Sequence, residues 1–351
     1  MTAPAGGVGR RSAWPLGAAA LALGFLVAPS LTGLPAAYAD EPASVREAFV
    51  FADPEIVESS GLVDRGGLFR TVNDSGDDPR VFTVDPATGE TVGVTTYAED
   101  VVDVEALAPA GDGAVWVGDI GQNTGERDAV TVHRVPTGRG ERTLDAPSYD
   151  LVYPGGASPD AESLLAEPGT GRLLVVTKEV FGGQVFRAPA RLDPDGPNRL
   201  ERVGGQRLLG IATDGAFLPD GRHLVLRNYG QAVFYSWPDL EPVGELTLPE
   251  QEQGEAISIA EDGRLHVSTE GQFTPVLFVA LPDALRALLD EPEPSASASP
   301  TGPTIIETPE GFEAPEVDRS VELGPGRVNW LVGGVLGVGV VVVLLLALRP
   351  R

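Results

Sequence analysis

The chain has 351 residues, 51 of them acidic against 25 basic, giving a formal net charge of −26, and it contains no cysteine. A surface so acidic repels nucleic acid and anionic lipid and attracts cations, so nucleic-acid partners are excluded. Disulfides, thiolate chemistry and cysteine zinc sites are excluded as well, and stability must come from the core that about 250 residues between the termini can bury.

Residues 1–39 read as an export signal. Arg10 and Arg11 precede the apolar run LGAAALALGFLVA, and AYA ending at Ala39 has the small-x-small form of a cleavage site. An uncleaved N-terminal anchor is the alternative. The paired arginines suggest twin-arginine export, but the residues after them fit that motif poorly, which leaves the general secretory route open.

Residues 40–290 carry a repeat. After a lone strand, EAFVFADP (Glu47–Pro54), five units begin at ESSGL (Glu58), DVEAL (Asp103), DAESL (Asp160), IATDGAF (Ile211) and QGEAI (Gln253). Each continues with a turn, then a second strand (LFRTVND, AVWVGD, LLVVTK, HLVLRN, LHVSTE) and a third (RVFTVD, AVTVHRV, QVFRA, AVFYSW, PVLFVAL). The first four units add a fourth strand, whereas the last ends in a helical patch, PDALRALLD. Pairing the lone N-terminal strand with the last unit would close a ring and cover its edge. Four strands per repeat of about 40–57 residues is the period of a propeller blade, so the expected fold is all-β, a five-bladed β-propeller closed by an N-terminal strand. A sixth blade hidden in the long second unit is the alternative.

Residues 291–327 are rich in Pro, Ser, Thr and Glu and read as an unfolded stalk with a reach on the order of 35 Å. Residues 328–348 contain WLVGGVLGVGVVVVLLLAL (Trp330–Leu348), uncharged and long enough to span roughly 28 Å as a helix. Arg349 and Arg351 follow in a tail, 349–351, that fits the cytoplasmic side. The expectation is a single-pass protein of the cell membrane, anchored by its C-terminal helix, with the propeller outside.

The turns serve as a ruler for side-chain columns. The opening polar residues of the innermost strands are Ser60, Glu105, Glu162, Thr213 and Glu255; the residues closing the second strands are Asp74, Asp119, Lys178, Asn228 and Glu270. Hairpin partners lie opposite each other, so both columns should share one rim of the channel. Two residues upstream of the first column, Glu58, Asp103, Asp160, Ile211 and Gln253 should lie one layer along it. Innermost strands converge on the propeller axis, so three carboxylates and two hydroxyls from distant segments would face one space. Such an all-oxygen acidic set suits a hard divalent ion, calcium before magnesium; the alternative is a solvated channel lining.

The order Ser, Glu, Glu, Thr, Glu around five blades resembles the central calcium site of the calcium-activated nucleotidases (soluble apyrases), which are five-bladed propellers. That resemblance implies calcium held by Ser60, Glu105, Glu162, Thr213 and Glu255. The blocks NDSG, GDIGQN and TDGAFLPDG are similar to those of secreted, anchored propeller proteins of actinobacteria, and through them to esterase-like or phytase-like propellers.

Lys178 is the only lysine. Beside Asp74, Asp119 and Glu270 it either offsets rim acidity or, helped by Arg227, grips an anionic group that also touches the metal. His133, His223 and His266 fall away from the rim, and neither GxSxG nor a phosphate-cradling loop is present, so triads and P-loop chemistry have no foothold. Two functions remain: recognition of an unknown ligand or protein across the rim, or hydrolysis of a phosphate or other ester. In the hydrolase Asp74 or Asp119 would orient water and Lys178 or Arg227 would hold charge.

Overall fold

Short β-branched strands separated by Gly-containing turns pair with their sequence neighbours, because each hairpin closes locally before any long loop must be ordered. The computed structural model describes residues 43–291 except 75, 99, 123, 124 and 126. The expected signal (1–39), stalk (291–327, apart from Glu291), membrane helix (328–348) and tail (349–351) lie outside the described residues. Among the described residues no helix is long and apolar enough to cross a membrane.

The strands form five sheets, and the chain is an all-β, five-bladed propeller. From the axis outward, blade 1 contains Ser59–Arg65, Leu68–Asn73, Arg80–Asp85 and Glu90–Thr96. Blade 2 contains Val104–Gly111, Ala114–Asp119, Val130–Pro136 and Ser148–Val152; blade 3 contains Ala161–Ala166, Leu173–Thr177, Val185–Arg187 and Glu201–Val203. Blade 4 contains Asp214–Phe217, His223–Arg227, Gln231–Ser236 and Pro242–Thr247. Blade 5 takes Gly254–Ile259, Leu265–Thr269 and Pro275–Val279 from the end of the repeat and Val45–Val50 from its beginning, paired antiparallel from Val45↔Val279 to Val50↔Pro275. Each innermost strand packs against the next, the last against the first, so the ring is closed.

Two short strands were not expected. Gly140–Thr143 runs parallel to the outer strand of blade 1, and Asn198–Arg199 runs parallel to the outer strand of blade 2. Each belongs to the chain of the following blade and covers an edge that would otherwise be open to another strand. The first takes up part of the extra length of the second unit, and the described residues form five sheets with no sixth blade among them.

Apolar faces of neighbouring blades form the core. Leu164 and Val175 of blade 3 meet Ala106, Val130 and Leu151 of blade 2. At the closure, Phe49 and Phe51 of the N-terminal segment join Leu62, Phe69 and Phe82 of blade 1 and Val276 of blade 5. The Phe49 and Phe51 rings meet edge-on at 5.5 Å. The expected helical patch is the helix Asp283–Leu289, which buries Leu285 and Leu289. It sits over Gly244 of blade 4, where a Cβ would come 2.5 Å from Leu285 Cδ1.

Candidate functional site at the carboxylate mouth of the channel

The innermost strands begin at one end of the channel, and there the pairing is irregular in the same way in four blades. Register shifts fall between Ser59 and Gly61, Val104 and Ala106, Ala161 and Ser163, and Gly254 and Ile257. Each shift brackets a residue of the predicted inner column: Ser60, Glu105, Glu162 or Glu255. A bulge leaves one residue unpaired and re-aims its side chain, which is how the sheet turns these groups out of the pleat. Blade 4 has no such shift; Thr213 precedes its strand and donates its N–H to Arg227 O.

The five residues of the inner column have different partners. Ser60 Oγ donates to the Glu105 carbonyl at 2.7 Å and Thr213 Oγ1 to the Glu255 carbonyl at 2.8 Å, so both hydroxyls staple adjacent blades. Glu162 is ion-paired with Lys178, whose ammonium also reaches Tyr229 Oη at 3.4 Å. Between blades 1 and 2, carboxylate oxygens of Asp74, Asp103 and Glu105 all lie within 4.8 Å of one another. Asp103 directly precedes the strand that carries Glu105, the bulge between Val104 and Ala106 re-aims Glu105, and Asp74 directly follows the neighbouring blade's second strand. Gly121 borders them: a Cβ there would stand 2.5 Å from Asp103 Oδ2 and 2.6 Å from Glu105 Oε1.

Burial sets the electrostatics. Glu105, 3% exposed, is pushed up to about 11, first by burial and then by the charges of Asp74, Glu162 and Asp103, with Lys178 opposing. Burial carries Glu162 to about 8 although Lys178 works against it, and carries Glu270 to about 7 with help from Glu255, Asp74 and Glu58. Glu255 is raised by burial, Lys178 and Arg227 opposing. Burial alone would weaken the Lys178 ammonium; the Glu162 carboxylate more than offsets this and holds its pKa above the usual lysine value. Glu162 Oε2 is buried with no hydrogen-bond partner among the described residues. Clustered, desolvated carboxylates, a glycine that keeps the space clear and an all-oxygen donor set fit a hard divalent cation.

Asp119 and Arg227 face elsewhere. Counted from the hairpin glycines, Asn73, Asp119, Thr177, Arg227 and Thr269 come six positions on, whereas Asp74, Ile120, Lys178, Asn228 and Glu270 come seven on. Adjacent strand positions point to opposite faces, so a ruler of six or seven mixed two columns. The six-position column holds the loops that enter the innermost strands. Asn73 Oδ1 accepts the N–H groups of Val57 and Glu58 at 3.0 and 3.1 Å; Asp119 accepts those of Val102 and Asp103, both at 2.9 Å. Asp119 also pairs with Arg127 at 2.7 Å. Arg227 is fully buried between blades 4 and 5 and donates from Nη1 to the Ala256 and Ser268 carbonyls. In the seven-position column, Asn228 Oδ1 accepts the N–H groups of Gly230 and Gln231, capping its turn.

The histidines are buried away from the cluster of Asp74, Asp103 and Glu105. His223 Nδ1 meets Asp220 at 2.6 Å beside the opposite hairpin, His266 packs edge-on to Phe69, and His133 lies against Tyr97. The far mouth of the channel differs in kind: Leu62, Leu107, Leu164, Phe217 and Ile257 help to line a cavity of ≈ 540 Å³ there. Sequence reasoning had placed Asp103 in a separate layer and gave no role to Gly121 or Tyr229; the i, i+2 spacing of Asp103 and Glu105 was the available signal.

Fold and site together define a five-bladed β-propeller with an acidic channel mouth. No protein family matches the chain, and no curated protein does. Among solved structures, glutaminyl cyclase from Myxococcus xanthus is 15% identical, with a TM-score of 0.44, over 68% of this chain and 97% of its own. A gluconolactonase from Xanthomonas campestris is 13% identical, with a TM-score of 0.45, over 68% of this chain and 90% of its own. A luciferin-regenerating enzyme is 9% identical at 0.42, over 68% and 96%. Likeness at this level carries no argument about chemistry, and the architecture rests on the strand pairing.

Proposed function

We propose that the propeller holds a divalent cation, calcium first, at its carboxylate mouth and recognises a ligand or protein across that face. The observation that carries this reading is the meeting of Asp74, Asp103 and Glu105 oxygens within 4.8 Å. Glu162, through Oε2, stands by as a further oxygen donor. The sequence supports display outside the cell, on a C-terminal membrane anchor, but that rests on residues other than the propeller's. Calcium titration followed by calorimetry and by thermal unfolding tests the site: saturable binding and a rise in melting temperature are expected, both lost in Glu105→Gln and Gly121→Ala. Equal melting in calcium and in chelator would reject it.

A second reading, a hydrolase of phosphate or other esters, is favoured by one observation. Glu270 is pushed to about 7, which suits a group that takes and returns a proton near neutrality. A bound cation would polarise an ester oxygen. Lys178, fixed by Glu162 and Tyr229, would hold negative charge, and Asp74 would orient water. A panel of nucleoside diphosphates, phytate and nitrophenyl esters separates the readings: turnover abolished by Glu270→Gln with calcium binding retained supports the hydrolase, and no turnover leaves recognition.

A further inference from the structure

The mouth opposite the carboxylates is formed by the far ends of the innermost strands and their hairpins, and every blade gives it an apolar side chain. Leu62, Leu107, Leu164, Phe217 and Ile257, one from each blade, line the cavity of ≈ 540 Å³ there. Sites for small molecules range over about 300–1,000 Å³, so the volume is that of a ligand site. The cation reading makes no use of it.

One edge of this apolar wall carries donors, at the seam where the innermost strands of blades 5 and 1 end. Arg65 closes the blade 1 strand, and its Nη1 donates to the Asp64 and Ile259 carbonyls at 2.7 and 2.6 Å. From the other side, Ser258 Oγ accepts the Asp64 N–H at 2.9 Å. Arg65 and Ser258, tied together in this way, both line the cavity. The two carbonyls take up the Nη1 hydrogens and fix the guanidinium, while Nε and Nη2 have no hydrogen-bond partner among the described residues. Ser258 is 4% exposed, and its hydroxyl, which accepts from Asp64, keeps its own proton to donate. Among the described residues no carboxylate lies within 4.0 Å of the Arg65 guanidinium. Asp64 turns to His266 Nδ1 at 3.5 Å, and Glu261, exposed in its hairpin, acts on Arg65 only from further off. Glu167, the other acid of the lining, is taken up by Trp237 Nε1 at 2.7 Å and by Thr170 Oγ1.

We propose that this far mouth binds a small monocarboxylate with an apolar body, its carboxylate held by Arg65 Nε and Nη2 together with Ser258, and its body against Leu107, Leu164 and Phe217. Two parallel N–H groups of a guanidinium match the two oxygens of a carboxylate, and the bonds are charge-assisted. The lining chooses between ligands. An amine would face the Arg65 charge, and an uncharged apolar molecule would forgo the charge-assisted bonds. Ligands with several negative charges are repelled by a chain of net charge −26, whereas Arg65 offsets a single carboxylate and burial of the apolar body drives binding. The site lies at the other end of the channel from the proposed cation and shares no residue with it.

The probes are phenylbutyrate, phenylbutanol and phenylbutylamine, which share one apolar body and differ in the head group, measured by calorimetry on the full chain in chelator. Phenylbutyrate should bind one to one and at least tenfold more tightly than the alcohol, as hydrogen bonds to a charged group imply, and the amine should not bind. Arg65→Met should weaken the acid about tenfold and leave the alcohol unchanged. Ala166→Phe, which fills the cavity from its wall, should weaken both. Phe181→Ser, in the loop after the second strand of blade 3 at the carboxylate mouth, should change neither. Equal affinity for acid and alcohol would overturn the proposal, as would equal loss of both in Arg65→Met. So would loss of the acid in Phe181→Ser, or no binding of the acid at millimolar concentration. The preference for acid over alcohol is read on the wild type, so it decides the matter even where a variant fails to fold. Glu105→Gln should abolish calcium binding and spare the acid, and Arg65→Met should spare calcium binding, so the two readings fail separately.

Discussion

Replacing Glu105 with glutamine should stabilise the ion-free protein and destroy its response to calcium. Oxygens of Asp74, Asp103 and Glu105 lie within 4.8 Å, where two full charges repel by roughly 3.5 kcal/mol at an effective dielectric of about 20. The folded protein avoids this by keeping a proton on Glu105 up to about pH 11, whereas the unfolded chain releases it near 4.5. Between these values folding takes up a proton, so stability is greatest below pH 4.5 and falls as pH rises, by about 1.4 kcal/mol per unit. At pH 7 the accumulated cost is about 3 kcal/mol, and a neutral glutamine does not incur it. In chelator at pH 7 the variant should therefore melt higher, by roughly 6–12 °C at about 2–4 °C per kcal/mol for a domain of this size. At pH 4 the two proteins should coincide. With calcium the order reverses, because only the wild type gains ligation. Calorimetric melting at pH 4 and 7, with and without calcium, gives all four comparisons. A variant less stable than wild type in chelator at pH 7 would refute the reasoning, since Glu105 would then be contributing to the ion-free fold.

The other predictions concern the frame around the site. Phe51→Ala removes a fully buried ring from the closure and should cost about 3–5 kcal/mol in urea unfolding, with the calcium midpoint unchanged. Asp119→Asn leaves the nearly buried Arg127 without its counter-ion and should cost about 3 kcal/mol, the hydrogen bonds to backbone being partly kept; retained calcium binding would mark Asp119 as structural. His266 is held down to about 4 by burial and by Arg264, so it contributes stability above pH 6.5 that is lost as pH falls towards 4. Relative to wild type, His266→Leu should gain up to about 3 kcal/mol between pH 7 and 4, read from paired urea curves.

The blade count was legible because its signal is local. Apolar alternation and turn residues such as the Gly66–Gly67 and Asp112–Gly113 pairs mark each hairpin without reference to the rest of the chain. The parallel strand Gly140–Thr143 was not legible, since GERT has no strand-like pattern and gains its conformation only from the blade edge it covers. The site was half legible for a similar reason. Acidic residues at the starts of innermost strands could be read off, but their directions depend on bulges and on a one-residue offset. A single step along a strand reverses the side chain, so Asp119 and Asp74 look equivalent in spacing while one caps a loop and the other faces the cluster.

The inner hydroxyls tie neighbouring blades together beside the carboxylates. Ser60 and Thr213 occupy the same column as the three glutamates, yet each donates to the carbonyl of the glutamate on the next blade. A hydroxyl that donates its proton in this way keeps its oxygen lone pairs, so it can staple two blades and still accept or ligate. The Lys178 ammonium takes up Glu162 on the blade 3 side. Between blades 1 and 2, Asp103 and Glu105 of the second blade and Asp74 of the first bring carboxylate oxygens within 4.8 Å of one another. Stapling of the blades and placement of the carboxylates share the same strand ends: Ser60 holds the carbonyl of Glu105, whose carboxylate enters the cluster.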